Sequence, residues 1–221
     1  MNSYQFRWDV IPANLDFLLT GLSSTLIIAA STLILAMLGG LVLAVMDMSQ
    51  FRALRLTALG IGELIRNTPI LIQLLWIYYV LPIVMGININ AWSALVFGLS
   101  LYSSAFIAEA YRAGIQAVPV GHSEAATVLG LSPSQTFFRI IFPQAVRITL
   151  PPLAANFVQL IKYSSLGAVI SVGEITRQGM ELSASIFRPL EIFTFIAIVY
   201  FLICWPLSMA IRSLEKRLAN R

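Results

Sequence analysis

The 221-residue chain is 58% hydrophobic and 11% charged, with a mean hydropathy of +0.85, whereas an ordinary soluble domain carries roughly 25% charged residues. That composition excludes a soluble globular domain and marks an integral membrane protein, whose net charge of +4 concerns orientation and not nucleic acid. Cys204 and His122 are the only residues of their types, which excludes a disulfide framework, a cysteine metal site and multi-histidine metal chemistry.

A spanning helix needs about 20 largely apolar residues, because lipid offers no partner to backbone N–H and C=O groups. Five stretches meet that requirement: Phe17–Met46, Pro69–Met85, Ala91–Tyr111, Thr149–Val172 and Ile192–Ile211. The first is too long for one straight span. Asp9 and Asp16 precede it where a signal peptide would carry a basic segment, so no signal-peptide pattern is expected. Pro69 follows a cap-like Asn67-Thr68 and is placed to open the second span as a first-turn residue. With no internal repeat, low-complexity run or soluble insertion, residues 1–221 read as a single transmembrane domain.

Charge sets the orientation. One side of a five-span chain collects Arg52, Arg55, Arg66, Arg112, Arg139, Arg147, Arg212, Lys216, Arg217 and Arg221; the other holds Arg7, Arg177 and Arg188. The positive-inside rule then places the N-terminus outside and the C-terminus in the cytoplasm. The Glu63/Arg66 and Glu109/Arg112 pairs, each three residues apart, fall near the cytoplasmic ends of the second and third spans, where mutual neutralisation is the simplest account.

The connector between the third and fourth spans is built with unusual care. Ser123 is a candidate N-cap for a short helix from Glu124 to Leu129, with Glu124 suited to the positive helix end. Gly130 would end that helix in the left-handed conformation and turn the chain. Ser132 would cap a second helix, with Pro133 at its first position and Gln135 completing a capping box; Pro143 ends it or bends it into the next span. The product is a rigid projection offering Ala125, Ala126, Val128, Leu129, Phe137 and Phe138. An amphipathic connector lying on the bilayer is the competing reading, but it calls for Lys and Arg on its polar face, and residues 122–138 contain neither.

Glu124-Ala125-Ala126, Gly130, Ile140 and Pro143 resemble the EAA loop of bacterial ABC importer permeases, pattern E-A-A-x3-G-x9-I-x-L-P, with Phe142 in place of its leucine. Three further stretches, 21–26 (GLSSTL), 63–73 (ELIRNTPILIQ) and 108–116 (AEAYRAGIQ), look like the polar amino acid uptake group, which includes the histidine, arginine, glutamine and glutamate systems. The resemblance implies an all-α, five-helix permease of the type I importer fold in the bacterial inner membrane, with residues 122–143 as its cytoplasmic coupling loop. It further implies two such subunits, identical or homologous, two ATPases below and an extracytoplasmic solute-binding protein above. Glu124 would then face a basic group on the ATPase. No G-x4-G-K-S/T sequence is present, so ATP and Mg would be bound by the separate ATPase chain and not by this one.

A polar solute needs polar groups facing the bundle interior at membrane depth. Asn156, Gln159 and Tyr163 share one helical face in the fourth span, with Lys162 about 100° away from that stripe. In the resembling family this region reads L-K-D-S/T-S-L; here Tyr163 replaces the acidic residue, which weighs against basic-amino-acid specificity. Lys162, Asn156, Ser164 and Ser165 offer donors for a carboxylate; Tyr163, Tyr102 and the amide oxygens of Asn156, Gln159 and Gln73 offer partners for an ammonium. Ordinary interhelical hydrogen bonding accounts for each of them equally well. Glu174, Arg177, Glu181 and Arg188 suggest a short solvated helix on the outer side, paired Glu174 to Arg177 and Glu181 to Arg188.

The expected function is the path-forming subunit of an ATP-driven amino acid importer. An ion-coupled secondary transporter of small polar solutes is the alternative; it requires inverted repeats or a membrane-embedded carboxylate, and no Asp or Glu stands near the middle of any span. A membrane enzyme would need a nucleophile and base or a metal constellation that the sequence does not display.

Overall fold

The computed structural model describes residues 4–219, and all regular structure among them is helical. Arg221, counted above with the basic end, lies outside the described residues. After a short turn at Val10–Ala13, α1 (Leu15–Asp47) runs unbroken for 33 residues. The length that argued against one straight span is accommodated in a single helix, since no proline interrupts it and its Gly39-Gly40 pair is taken up in packing.

The second expected span is divided. α2 (Arg52–Arg66) is a separate amphipathic helix, and it meets α3 (Ile70–Met85) at 103°. Pro69 is the corner and not a first-turn residue: its ψ of 131° is extended, and a proline also pushes the residue before it out of the helical region. Glu63 and Arg66 therefore belong to a helix outside the span. α4 (Ala91–Gln116) follows, its first turn capped by the Asn90 side chain, which accepts from the Ser93 amide at 2.8 Å. Then come α5 (Val120–Val128), α6 (Pro133–Ile170), α7 (Ile175–Ile186) and α8 (Pro189–Ala219). Helices α1, α4, α6 and α8 are long and apolar enough to cross a membrane, and the bent α2–α3 pair brings the number to five if it counts as one span.

Two wide π turns interrupt these helices, Trp76–Val80 in α3 and Phe137–Ile141 in α6. Each ends two residues before a proline, Pro82 and Pro143 respectively. A proline lacks the N–H and crowds the carbonyl four residues earlier; a π turn shifts the hydrogen-bond register at that place and makes room for it. Pro143 consequently neither ends nor breaks the helix, and the second limb of the loop continues into the fourth span as one 38-residue helix, finished by a 3₁₀ stretch from Ser164 to Ile170.

The core gathers Ile28 from α1, Leu74 and Ile77 from α3, Leu95 and Leu99 from α4, Leu160 and Ile161 from α6, and Cys204 from α8. Lipid is as apolar as these side chains, so association depends on close packing, and small residues permit it. A Cβ on Gly40 would stand 2.7 Å from Ile107 Cγ2, and one on Gly114 would collide with Thr149. α4 is thereby pressed between α1 and α6.

Candidate functional site

The loop after α4 is assembled from local signals. α5 begins at Val120, after an extended Pro119, and not at Glu124. Ser123 is accordingly inside the helix, where its hydroxyl donates to the Val120 carbonyl at 2.7 Å; a proline that fixes its own φ and lacks an N–H starts the helix earlier than a serine cap would. At the other end Gly130 has φ +74°. The Leu131 amide donates to the Ala126 carbonyl and the Gly130 amide to the Thr127 carbonyl, both at 3.0 Å, which is the Schellman arrangement. Ser132 and Gln135 then form a reciprocal capping box, at 3.3 Å and 3.0 Å.

This geometry buries Ala126 and leaves Glu124, Ala125 and Gly130 exposed, with Val128 at 87%, Leu129 at 77% and Phe138 at 66% exposure. Ile140 is half-buried and Pro143 exposed. The rings of Phe137, Phe138 and Phe142 pack on one another with centroids 5.2 to 6.4 Å apart. Glu124 forms no ion pair among the described residues. A carboxylate beside an apolar knob thus projects from the bundle.

The two acid–base pairs read separately in the sequence are one chain of contacts. Arg66 lies 2.6 Å from Glu63 and 3.6 Å from Glu109; Arg112 lies 3.8 Å from Glu109 and 3.4 Å from Asp47. The ladder ties the end of α1 to α2 and α4. Arg66, and after it the Asn67 amide, holds the Glu63 carboxyl below its ordinary value.

The candidate path residues are not gathered into one pocket. Gln159 donates to the Tyr163 hydroxyl at 3.4 Å, and the Tyr163 ring meets the edge of Tyr102 at 5.8 Å. Asn156 has a buried side-chain oxygen with no hydrogen-bond partner. Ser164 is fully buried and its hydroxyl donates to the Ile161 carbonyl. Gln73 stands apart at the α2–α3 corner, where its amide nitrogen donates to the Ile65 carbonyl at 2.8 Å and the Thr68 hydroxyl at 2.6 Å. Lys162 faces away from the Tyr163 stripe, as its helical angle requires. It lines an open groove between α6 and α8 of about 380 Å3, together with Tyr200, Cys204, Ser208 and Arg212 and the stacked rings of Phe201 and Trp205.

At the opposite end from the loop, α7 is the short helix expected, with Met180 and Glu181 exposed, but the placement of Glu174 and the ion pairs differ from the expectation. Glu174 is fully buried and caps α7, accepting from the amides of Thr176 at 3.0 Å and Arg177 at 2.7 Å and from the Tyr200 hydroxyl at 3.3 Å. Burial pushes its carboxyl above the ordinary value. Arg177 pairs with Glu181 at 2.7 Å, and Arg188 with Glu191 at 3.8 Å. The pairing changes because Ile175, Gly179 and Leu182 turn one face of α7 inward and carry Glu174 with it. Glu191, also fully buried, was missed in the sequence; it receives the Tyr4 hydroxyl and, at 2.9 Å, the Arg7 amide. The clustered aromatics Tyr4, Phe6 and Trp8 were the signal of that N-terminal arm.

A bundle of apolar helices with a capped projection at its basic end is the architecture of a transport-system membrane subunit, and comparison with known proteins specifies which. Residues 36–220 match the family model of the binding-protein-dependent transport system inner membrane component, and the chain belongs to that family. It is 37% identical to the glutamine transport system permease protein GlnP of Escherichia coli (strain K12), covering 97% of this chain and 98% of that one. It is 36% identical to the probable glutamine permease GlnM of Bacillus subtilis (strain 168), covering 93% and 94%. Among solved structures, an amino acid ABC transporter chain described as crystallised with histidines superposes with a TM-score of 0.91 at 34% identity, covering 97% of this chain and all of that one. The MetNI methionine transporter gives 0.69 at 20% identity over 90% of this chain and 97% of that one, a likeness of fold alone.

Proposed function

We propose that this chain is the permease subunit of an ATP-driven importer of amino acids, crossing the bacterial inner membrane five times with its N-terminus outside and its C-terminus inside. The observation that carries the reading is the projection at Glu124–Phe138, doubly capped and apolar at its tip, on a chain whose relatives are named as ABC permeases. Residues 122–143 dock into a separate ATPase that holds ATP and Mg, and Glu124 meets a basic group there. Gly130 fixes the angle between α5 and α6. Closure of the ATPase displaces the loop, and the bundle moves between outward and inward access, each state favoured by different contacts. A second permease subunit completes the path and an extracytoplasmic binding protein delivers the amino acid. Tyr163, in place of an acidic residue, favours a neutral amino acid over a basic one.

The ion-coupled carrier has less support. Glu174 and Glu191 are the fully buried carboxylates among the described residues, and both are engaged by protein donors. The test is uptake of labelled L-glutamine by vesicles containing the permease, ATPase and binding protein. The expected result is accumulation that requires ATP and both partners; accumulation driven by an ion gradient without the ATPase would refute the reading.

A further inference from the structure

The groove between α6 and α8 holds a second cation that no periodicity in the sequence links to Lys162. Cys204, Ser208 and Arg212 recur every four residues, so they stand on one face of α8 at intervals of about 6 Å. The groove is therefore a strip that begins beside Lys162 and ends at Arg212, roughly 12 Å beyond Cys204 along the helix axis. Among the described residues neither cation forms an ion pair. Both are exposed. An unpaired ammonium in the middle of the fourth span is costly against lipid and acceptable beside water or a polar solute.

We propose that this strip is the inner half of the path, and that Arg212 is a second station for the substrate's α-carboxylate, engaged after the carboxylate leaves Lys162. The proposal rests on the importer reading above. A guanidinium presents paired donors that match a carboxylate. Its position near the C-terminal end of α8, on the cytoplasmic side in that reading, lets the solute be released into water. Phe201 and Trp205 wall the strip with apolar surface; the Ser208 hydroxyl donates to the Cys204 carbonyl at 2.7 Å and the Tyr200 hydroxyl is engaged by Thr176 and Glu174, so the two cations are the free polar contacts.

Cys204, the only cysteine of the chain, is buried in the core, so the reporter is Ser208→Cys in a Cys204→Ala background, one turn from Arg212. In the complete complex in lipid nanodiscs, the rates at which an anionic and a cationic methanethiosulfonate modify the thiol at position 208 are compared by mass analysis of the peptide that contains it. The anionic reagent is expected to react faster, and Arg212→Gln to lower the anionic-to-cationic ratio by about threefold, the effect of removing one unit charge about 6 Å away in a wet groove at physiological salt. Arg212→Lys restores the ratio. A ratio unchanged in Arg212→Gln overturns the proposal, as does failure of both reagents to reach position 208, the outcome for a strip filled by lipid or by the second subunit. ATP-driven uptake of each of the twenty amino acids and of cystine is measured in parallel on the parent complex. If none is taken up, the importer reading itself fails; if uptake is normal and the ratio does not respond, only the role of Arg212 fails.

Discussion

Gly130 and Glu174 show what single residues do here. At φ +74° Gly130 occupies a region that costs other residues roughly 1 kcal/mol or more, so Gly130→Ala should strain the loop without unfolding the bundle. We expect severalfold slower ATP-driven uptake with normal membrane insertion and complex assembly, measured by initial rates and by co-purification of the ATPase. Glu124→Arg should have the same effect, since it reverses the one charge on the projection's first limb. Glu174 instead acts on stability: removing an N-cap costs about 1 kcal/mol, and Glu174→Ala also leaves the Thr176 and Arg177 amides without their acceptor. Its carboxyl value is raised on folding, so its contribution is greatest below the ordinary carboxylate range and is lost as pH rises through the raised value. Thermal melts of the parent between pH 5 and 8 should fall with pH more steeply than those of Glu174→Gln; equal slopes would contradict this. Gly130, Ser132 and Gln135 were legible in the sequence because caps are local. Glu174 was not, because its partner Tyr200 lies 26 residues away and burial is a property of the packed bundle.

Among elements, the decisive fact is how closely α4 is held. The Gly114 contact with Thr149 leaves no room for a side chain, and overpacking of this kind costs about 1–3 kcal/mol. Gly114→Val should therefore lower the melting temperature of the detergent-purified protein by several degrees, while Gly60→Ala, where a Cβ would meet nothing within 4 Å, should not. Apolar length made α1, α4, α6 and α8 readable. The α2–α3 corner was less so: the sequence of Pro69–Met85 marks an apolar segment, but the 103° turn before it is bridged by Gln73 reaching back to Ile65 and Thr68, contacts that no local pattern announces. Pro143 misled for a physical reason. Proline ends a regular α-helix, and nothing in the local sequence announces the wider turn that tolerates it.

At the scale of the whole molecule, the ion-pair ladder of Asp47, Glu63, Arg66, Glu109 and Arg112 and the C-terminal basic residues define one end and the Glu174–Glu191 region the other. In the proposed orientation, alkaline phosphatase fused after Ile87 should be active outside the cell. The same enzyme fused after Leu131 should be inactive; activity at both sites would reject the topology. The path could be only partly read, since consecutive residues of one helix meet different neighbours once packed: Tyr163 turned to Tyr102, Lys162 to α8 and Ser164 into the core.

Because α6 passes Pro143 without a break, the Ser132 cap and Lys162 sit on one shaft, about 45 Å apart along its axis. Two places between them can dissipate a displacement, the π turn at Phe137–Ile141 and the Pro151-Pro152 pair, which removes two backbone donors from the helix. A twist imposed at the capped end must reach Lys162 as rotation of the lysine about the helix axis, so the ammonium sweeps sideways across the groove while its depth hardly alters. Transport of motion in this subunit is in that sense torsional, and the compliance of the π turn and of the Pro151-Pro152 pair sets how much of the turn arrives.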